Sequence, residues 1–350
     1  MIPYIELLDQ YSLKAYAIIE PSECWFELSY YDTGEFELYC IATKENLKAL
    51  KRGAFVKIPN KRFIWFITSI TYTYNVTGGR MILAKGYEAK YLLNLRVILE
   101  PLELPKNLGN AIFKLINNNL GPLTTAARKI NNFVAENQTI NITIADTQAT
   151  RSNLLEFTNN LLKTYYCGSY VYIENGVLKY KIIQGRDLTN KIVFSQSQDN
   201  LLSSEFYSSE TNYKTFARVV SKVEEVDYIK DYDKGPTGID RKELIVDSDL
   251  STEYTDTNGV KKTTTPTSEL YQGWQLEEGK KALADHTINE EVKGEIDLEN
   301  SSYIFDEDFF TGDIVKIKDE YFNFASNARI KKVTFKQSAG GYGEELEYGG

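Results

Sequence analysis

Alternating apolar and polar residues dominate the first hundred positions of the chain. Residues 24–41 hold two apolar stretches around a polar turn, and residues 62–76 form a longer run of aromatic and β-branched residues. Strict alternation at residues 70–74 is typical of a half-buried strand. A short helix is predicted over residues 42–50, with Thr43 as its N-cap. The pattern predicts a compact antiparallel barrel or sandwich.

The spacing of apolar residues changes in the next part of the chain. Residues 107–119 and 152–166 each place their apolar side chains on one helical face, whereas residues 138–145 alternate like a strand. An Asn-Gly pair at residues 175–176 lies between two alternating apolar runs, which is the pattern of a β-hairpin. These elements predict an α+β segment inserted over residues 101–183.

Strand patterns return in the last part of the chain, at residues 212–226 and 242–246. Residues 255–267 hold an Asn-Gly turn among threonines and lysines, so we expect an exposed, mobile loop or hairpin tip. A helix follows near residues 268–286, with Ser268 as its N-cap. The side chains expected to face the core are Tyr271, Trp274 and Leu283.

The order of these patterns predicts an α+β fold that is mainly β. Two barrel-like antiparallel β domains carry an inserted α+β domain between them. We place the first β domain at residues 1–100, completed by about residues 184–200, the insertion at 101–183 and the second β domain at 200–350. A chain of 350 residues accommodates this division, because domains typically hold roughly 100–200 residues.

Composition excludes several classes of protein. One histidine and three scattered cysteines are too few for a convincing zinc site, so we expect no metal and no cofactor. Sparse cysteines fit a chain that folds in a reducing cytosol. The longest apolar runs hold about five residues, whereas a bilayer span needs roughly 20, so we expect no membrane span.

Charge is distributed unevenly along the chain. The net charge of −9 combines +4 over residues 1–200 with −13 over residues 201–350. Sequence-independent binding to nucleic acid needs cationic side chains that displace counterions. We therefore expect nucleic acid to pass this protein without specific binding.

No sequence motif indicates catalysis. The chain lacks GxSxG, GxGxxG after a strand, a P-loop and HExxH. Carboxylates at residues 277–278 and 306–308 match a glycosidase by count alone, but adjacent side chains point apart, which favours solvated edges. Residues 231–235 partly resemble a calcium loop, yet a third ligand is missing and Lys242 occupies the place of the closing glutamate. We expect a protein that is not an enzyme.

Tyrosine is unusually frequent, with 25 copies. Most are expected to pack across sheets, but Tyr30, Tyr31, Tyr72 and Tyr74 are expected on an exposed sheet face that another chain could meet. Aromatic side chains also stack on sugars. Carbohydrate binding therefore stays open as a second interpretation.

Five stretches, in order along the chain, carry a resemblance to a known family. Residues 34–58 read GEFELYCIATKENLKALKRGAFVKI, with Glu35 in place of a usual aspartate. The second stretch is residues 82–98, and the third is the hairpin at residues 175–176 followed by residues 181–190. The fourth is residues 238–251, and the last combines the helix before His286 with residues 305–335. Together they resemble the siphophage tail-tip or baseplate-hub-like tail proteins found in phages of Gram-positive bacteria. The resemblance spans nearly the whole chain.

The resemblance implies a structural role in the virion, at the distal tip of the tail, after synthesis and assembly in the host cytoplasm. Three copies would form a ring, with two barrel-like domains per copy as in contractile-phage baseplate hubs. The ring would dock on the hexameric distal tail protein and close or gate the tail tube for DNA passage. The tape measure protein and receptor-binding or tail fibre proteins would be further partners.

The positions that carry the family motif or a candidate interface form one set. They are Gly34, Glu35, Phe36, Glu37, Leu38, Tyr30, Tyr31, Tyr72, Tyr74, Arg241, Gly312 and Asp313. Two other functions stay open on the residues alone. One is a tail-tip protein that binds cell-wall carbohydrate through exposed Trp and Tyr, and the other is a peptidoglycan hydrolase that uses paired carboxylates.

Overall fold

The computed structural model describes residues 4–76, 79–296, 301–321 and 324–349. The helices are α1 (Lys44–Ala49), α2 (Leu108–Asn119), α3 (Leu154–Thr164) and α4 (Glu269–Asp285). The strands before residue 190 are β1 (Ile5–Leu8), β2 (Ala15–Ile19), β3 (Glu23–Ser29), β4 (Glu35–Ile41), β5 (Phe55–Lys57), β6 (Ile64–Asn75), β7 (Gly79–Glu88), β8 (Leu102–Glu103), β9 (Phe133–Ala135), β10 (Gln148–Ala149), β11 (Cys167–Glu174) and β12 (Val177–Gln184). The later strands are β13 (Val193–Ser195), β14 (Ser203–Ser209), β15 (Phe216–Val223), β16 (Val226–Asp233), β17 (Glu243–Ser248), β18 (Glu253–Thr255), β19 (Lys261–Thr263), β20 (Asn289–Ile296), β21 (Ile314–Asp319), β22 (Phe324–Ser338) and β23 (Gly341–Gly349).

Each helix begins at a polar side chain that accepts a hydrogen bond from a backbone N–H of the first turn. The four caps are Thr43, Asn107, Asn153 and Ser268. Such caps satisfy N–H groups that have no partner within the helix. The four predicted helices are therefore confirmed, with ends that differ by at most two residues.

Thirteen of the described strands form one sheet. Its main path is β14–β20–β23–β22–β3–β4–β7–β6–β5–β1–β2, and β21 pairs with both β22 and β13. The antiparallel pairing of β22 with β3 places Phe335 opposite Phe26 and joins the two ends of the chain. The mainly β class with α+β elements inserted is confirmed. The domain boundaries near residues 100 and 200 stay predictions. Strands from both ends of the chain, such as β3 and β22, are hydrogen-bonded within this one sheet.

Three smaller sheets accompany the large one. They have the orders β11–β12–β9, β16–β15–β17 and β10–β8–β18–β19. The last of these places the hairpin of β18 and β19 beside strands of the inserted segment. Within residues 255–267, residues 256–260 form the tip of this hairpin, and Asp256 is the buried residue of the tip.

Two large apolar cores lie on the two sides of β1, β5 and β6. The first is enclosed by the large sheet and holds Phe26, Trp65 and Phe335. The second packs α2, α3 and the β11–β12–β9 sheet against that sheet, with Phe55 and Ile64 as contributors. In α4, the predicted core residues Tyr271, Trp274 and Leu283 are buried.

The strand predicted at residues 138–145 is wrong, because this segment is irregular. Ile140 and Ile144 are buried in the core under α2, which produces the alternating pattern. Backbone groups here bond to the loop before α2 instead of to a strand: Ile144 N–H donates to Lys106 O at 2.7 Å, and the Asn107 side chain donates to Ile140 O at 2.6 Å. The alternation of apolar and polar residues here therefore reflects which side chains are buried and does not indicate β-strand pairing.

Candidate assembly site

The strands β6 and β7 extend past the core as a two-stranded arm, formed by residues 71–76 and 79–81. Tyr72 lies opposite the buried Ile82, and Tyr74 lies opposite Arg80. Directly opposite residues share a face of the sheet. Tyr72 and Tyr74 therefore lie on the same face of the sheet as the buried Ile82, and in the arm this face is exposed to solvent.

Large side chains on this arm are exposed. Tyr72 is 56%, Tyr74 71% and Val76 87% exposed. The Arg80 guanidinium lies 5.8 Å from the Tyr74 ring centroid. Tyrosine and arginine are enriched where proteins meet. The structure places Tyr72 and Tyr74 on the surface, and their contact with another chain stays a prediction.

The motif at residues 34–38 lies within the large sheet. Phe36 stacks on Phe26 with ring centroids 5.3 Å apart, and Leu38 is buried in the same core. Glu37 forms an ion pair with Lys85. A Cβ on Gly34 would approach the Glu27 carbonyl oxygen to 2.5 Å, and Glu35 is the exposed member. This motif specifies how β4 packs and presents little surface to a partner.

Tyr30 is not on an exposed face, contrary to the expectation. Its hydroxyl lies 2.9 Å from Tyr166 O and 3.1 Å from Ile183 O, and it accepts the Gly185 N–H at 3.2 Å. Its burial raises the pKa of the phenol. Tyr31 is half-buried against it, with ring centroids 4.7 Å apart. The Tyr30 ring is buried because it closes a junction between three parts of the chain.

Gly312 and Asp313 complete that junction, which we define as Tyr30, Gly185, Arg186, Gly312 and Asp313. A Cβ on Gly312 would lie 2.0 Å from the Tyr30 ring, and one on Gly185 would lie 1.7 Å from Gly312 O. Asp313 is buried and accepts from Arg186 N–H at 2.7 Å and from its guanidinium at 2.6 Å. This carboxylate raises the pKa of Arg186. The junction joins β3, the end of β12 and the start of β21.

Removing the Tyr30 hydroxyl tests the junction. We expect Tyr30→Phe to lower the free energy of unfolding by about 1–3 kcal/mol, because Gly185 N–H loses its acceptor in a buried site. Urea titration followed by circular dichroism measures the change. Tyr11→Phe is the control, since Tyr11 is 71% exposed. Equal midpoints for the two variants would contradict this role of the hydroxyl.

A buried ion pair, which the sequence analysis missed, lies beside the junction. Lys90 Nζ is 2.7 Å from Glu88 Oε1, and both side chains are almost fully buried. Lys90 also donates to Ser29 O at 2.9 Å and to Ser169 O at 3.1 Å. Burial raises the pKa of Glu88 to about 7, and Lys90 opposes this rise. The pair ties the end of β3 to β11.

Arg241 lies at the surface of the β16–β15–β17 sheet. Its guanidinium donates to Asp233 at 2.7 Å and to Glu243 at 2.6 Å, and it lies 4.1 Å from the Phe216 ring centroid. Arg218 holds Asp231 at 2.9 Å in the same way. The carboxylates of the calcium-like stretch are therefore engaged by guanidinium groups. Within the described ranges no group of His, Cys, Asp and Glu is arranged for a metal ion.

The paired carboxylates have separate roles. Glu277 is buried and accepts from the Tyr165 hydroxyl at 2.9 Å, so its expected place on a solvated edge is wrong. The reason is that α4 packs against α3, which carries Tyr165 just after its last turn. Glu278 pairs with Lys281, and Asp306 pairs with Arg62 at 2.5 Å. No helix in the described part of the chain combines the length and the apolar character that crossing a membrane requires.

Comparison with known proteins gives one family and several structural neighbours. The model of the family described as Siphovirus ReqiPepy6 Gp37-like protein matches residues 5–349. No curated protein matches the chain. The tail protein from Neisseria meningitidis MC58 is similar with a TM-score of 0.60 and 11% identity, over 99% of this chain and 96% of that chain.

Two further solved structures share the fold. The 43 kDa tail protein of prophage MuSo2 from Shewanella oneidensis has a TM-score of 0.57 and 12% identity, over 99% of this chain and 98% of its own. The prophage tail protein gp18 from Listeria monocytogenes EGD-e has a TM-score of 0.50 and 14% identity, over 99% and 94%. Identities this low show likeness of fold.

Proposed function

We propose a function on one premise: the chain belongs to the siphovirus tail protein family described as Siphovirus ReqiPepy6 Gp37-like protein. As a bacteriophage tail protein it is a structural component of the virion. On this premise we infer that it is the hub at the distal tip of the tail. Three copies form a ring that docks on the hexameric distal tail protein and gates the tube for DNA.

The observation that carries the proposal is the family match over residues 5–349. The arm of β6 and β7 supports it, because the exposed Tyr72, Tyr74 and Val76 offer apolar surface to a second copy or to the distal tail protein. Closed rings are a common outcome of head-to-tail contacts between identical chains. A ring of this acidic chain would repel phosphate, which suits passage of DNA without specific binding.

Native mass measured by light scattering over a concentration series tests the ring. A trimer should have a mass of about 120 kDa, three times the 40.0 kDa of one chain. Where the chain alone is monomeric, the measurement is repeated with the distal tail protein added. A monomer in both conditions would overturn the proposed ring.

A single substitution on the arm should weaken assembly. We expect Tyr74→Ser to raise the trimer dissociation constant at least about 10-fold, because tyrosine is enriched among the interface residues whose truncation costs about 2 kcal/mol or more. Sedimentation velocity over the same concentrations measures the constant. Tyr11→Ser is the matched control, since both tyrosines are 71% exposed. Equal dissociation constants for wild type and Tyr74→Ser would exclude the arm from the interface.

The carbohydrate-binding alternative loses part of its basis in the structure. It relied on exposed tryptophans, but Trp65 and Trp274 are fully buried and Trp25 is half-buried on β3. The hydrolase alternative relied on paired carboxylates, of which Glu277, Glu278 and Asp306 are held by Tyr165, Lys281 and Arg62 in that order. We therefore favour the structural role.

A further inference from the structure

A cavity of about 600 Å³ lies between the C-terminal ends of α3 and α4 and the large sheet at β22. Its volume is in the range of small-molecule sites. Among the described residues, six cationic side chains and three carboxylates line it, although the whole chain carries a net charge of −9. The cations are Lys163, Lys234, Lys280, Arg329, Lys331 and Lys332. The described lining therefore has a net positive charge, whereas the chain as a whole has a net negative charge.

The carboxylates of the lining compensate only some of these cations. Asp285 pairs with Lys163 at 2.9 Å, and Glu347 pairs with Lys332 at 3.4 Å. Asp32 is exposed at the mouth. Lys163 and Lys332 thus each have a carboxylate partner within the lining.

Among the side chains that the structure describes, no carboxylate lies within ion-pair distance of three of these cations, Lys234, Lys280 and Arg329. Lys280 Nζ lies 4.0 Å from the Tyr165 ring centroid. The Arg329 guanidinium donates to Gly312 O at 2.6 Å and retains further N–H donors. Lys234 is partly withdrawn from water, which lowers its pKa. Positive charge without a counter-ion, lining one cavity, favours an anionic occupant.

Neutral groups of the lining fit the same occupant. Asn212 and Thr287 supply an amide and a hydroxyl, and Tyr166 places a ring that is 71% exposed at the wall. Tyr166 has a left-handed backbone with φ of 55°, and its carbonyl is held by the Tyr30 hydroxyl. Left-handed backbone is uncommon for an aromatic residue, and the junction holds the backbone from which this ring projects. The wall thus offers an aromatic face beside the cations.

We propose that this cavity binds a phosphate-bearing ligand. Lys234, Lys280 and Arg329 hold the phosphate oxygens through charge-assisted hydrogen bonds, and arginine is well suited to such oxygens. The organic part of the ligand lies on the Tyr166 ring. The site is a property of one chain and does not depend on the ring proposed above.

Calorimetric titration with glucose 6-phosphate, inorganic phosphate and glucose tests the site on the full chain. We expect the two phosphates to bind and glucose not to bind, with affinity that falls as NaCl increases. Tighter binding of glucose 6-phosphate than of inorganic phosphate would assign an organic phosphate as occupant. Equal binding would assign free phosphate, which shares the same chemistry.

The double variant Lys234→Gln/Lys280→Gln should weaken phosphate binding at least about 10-fold, because two charged contacts are removed. Lys14→Gln/Lys129→Gln is the matched control, since it removes the same charge from exposed positions outside the cavity. Circular dichroism checks that both variants fold. Absence of binding to wild type, or equal weakening by both double variants, would overturn the proposal. Because neither result depends on native mass, its failure is distinguishable from failure of the ring.

Discussion

Replacing Lys90 with methionine should lower the free energy of unfolding by about 3–5 kcal/mol, the usual cost of removing one partner of a buried ion pair. Methionine keeps the length of the side chain but leaves Glu88 without its cation. The carbonyls of Ser29 and Ser169 lose their donor as well. Urea unfolding followed by tryptophan fluorescence measures the loss.

The loss of unfolding free energy in Lys90→Met should increase as the pH rises. Burial raises the pKa of Glu88 to about 7 in the folded chain, against a reference value of 4.5. The folded state therefore binds more protons between these values, and stability falls as pH rises through that window. Without Lys90 the pKa rises further. The deficit of Lys90→Met relative to wild type should consequently be larger at pH 8 than at pH 5.

An exposed ion pair provides the control for Lys90. Lys106 lies 3.1 Å from Asp146, and its side chain is 68% exposed. Lys106→Met should change stability by less than about 1 kcal/mol, because water screens such pairs. A Lys90→Met variant as stable as Lys106→Met would mean that the buried pair contributes little to folding.

Replacing Gly185 with alanine should cost about 3 kcal/mol, at the upper end for overpacking. The added Cβ would lie 1.7 Å from Gly312 O, a backbone atom that no change of rotamer can move. Either β12 or the start of β21 must shift, and the Asp313 contacts with Arg186 shift with it. Thermal and urea unfolding measure the effect.

Gly340→Ala is the matched control for Gly185→Ala. Neither glycine has a positive φ, so both substitutions gain the same backbone restriction in the unfolded chain. At Gly340 the nearest atom to a new Cβ is Ser338 Oγ at 3.5 Å, which is ordinary contact. Similar stabilities for the two variants would show that the backbone at the junction can shift at little cost. The close approach of Gly185 to Gly312 would then not be important for stability.

Local features of this fold were readable from the sequence. The helices follow from caps such as Ser268 and from apolar residues spaced by a helical turn, because both act within a few residues. Strands such as β6 follow from aromatic and β-branched runs. Residues 138–145 misled the prediction because burial alternates there while the backbone bonds go to another loop.

The junction and the cavity depend on distant partners and could not be predicted in this way. The sequence places Tyr30 and Tyr31 together on an expected surface, but the Tyr30 ring packs closely against Gly312. Lys90 reads as a surface lysine, but its partner Ser169 lies 79 residues away. The cavity collects cations from α3, α4 and β22, and no single segment is strongly basic.

The pairing of β3 with β22 also has a consequence during synthesis. Glu27 and Lys332, which form an ion pair across these strands, are separated by 305 residues. At about 5–20 residues per second, a ribosome needs roughly 15–60 s to make that stretch. During that time one edge of β3 is not yet paired with β22. An unpaired strand edge is a site of aggregation. Slow translation or crowded polysomes should therefore reduce the soluble yield of this protein more than that of a chain whose strands pair locally.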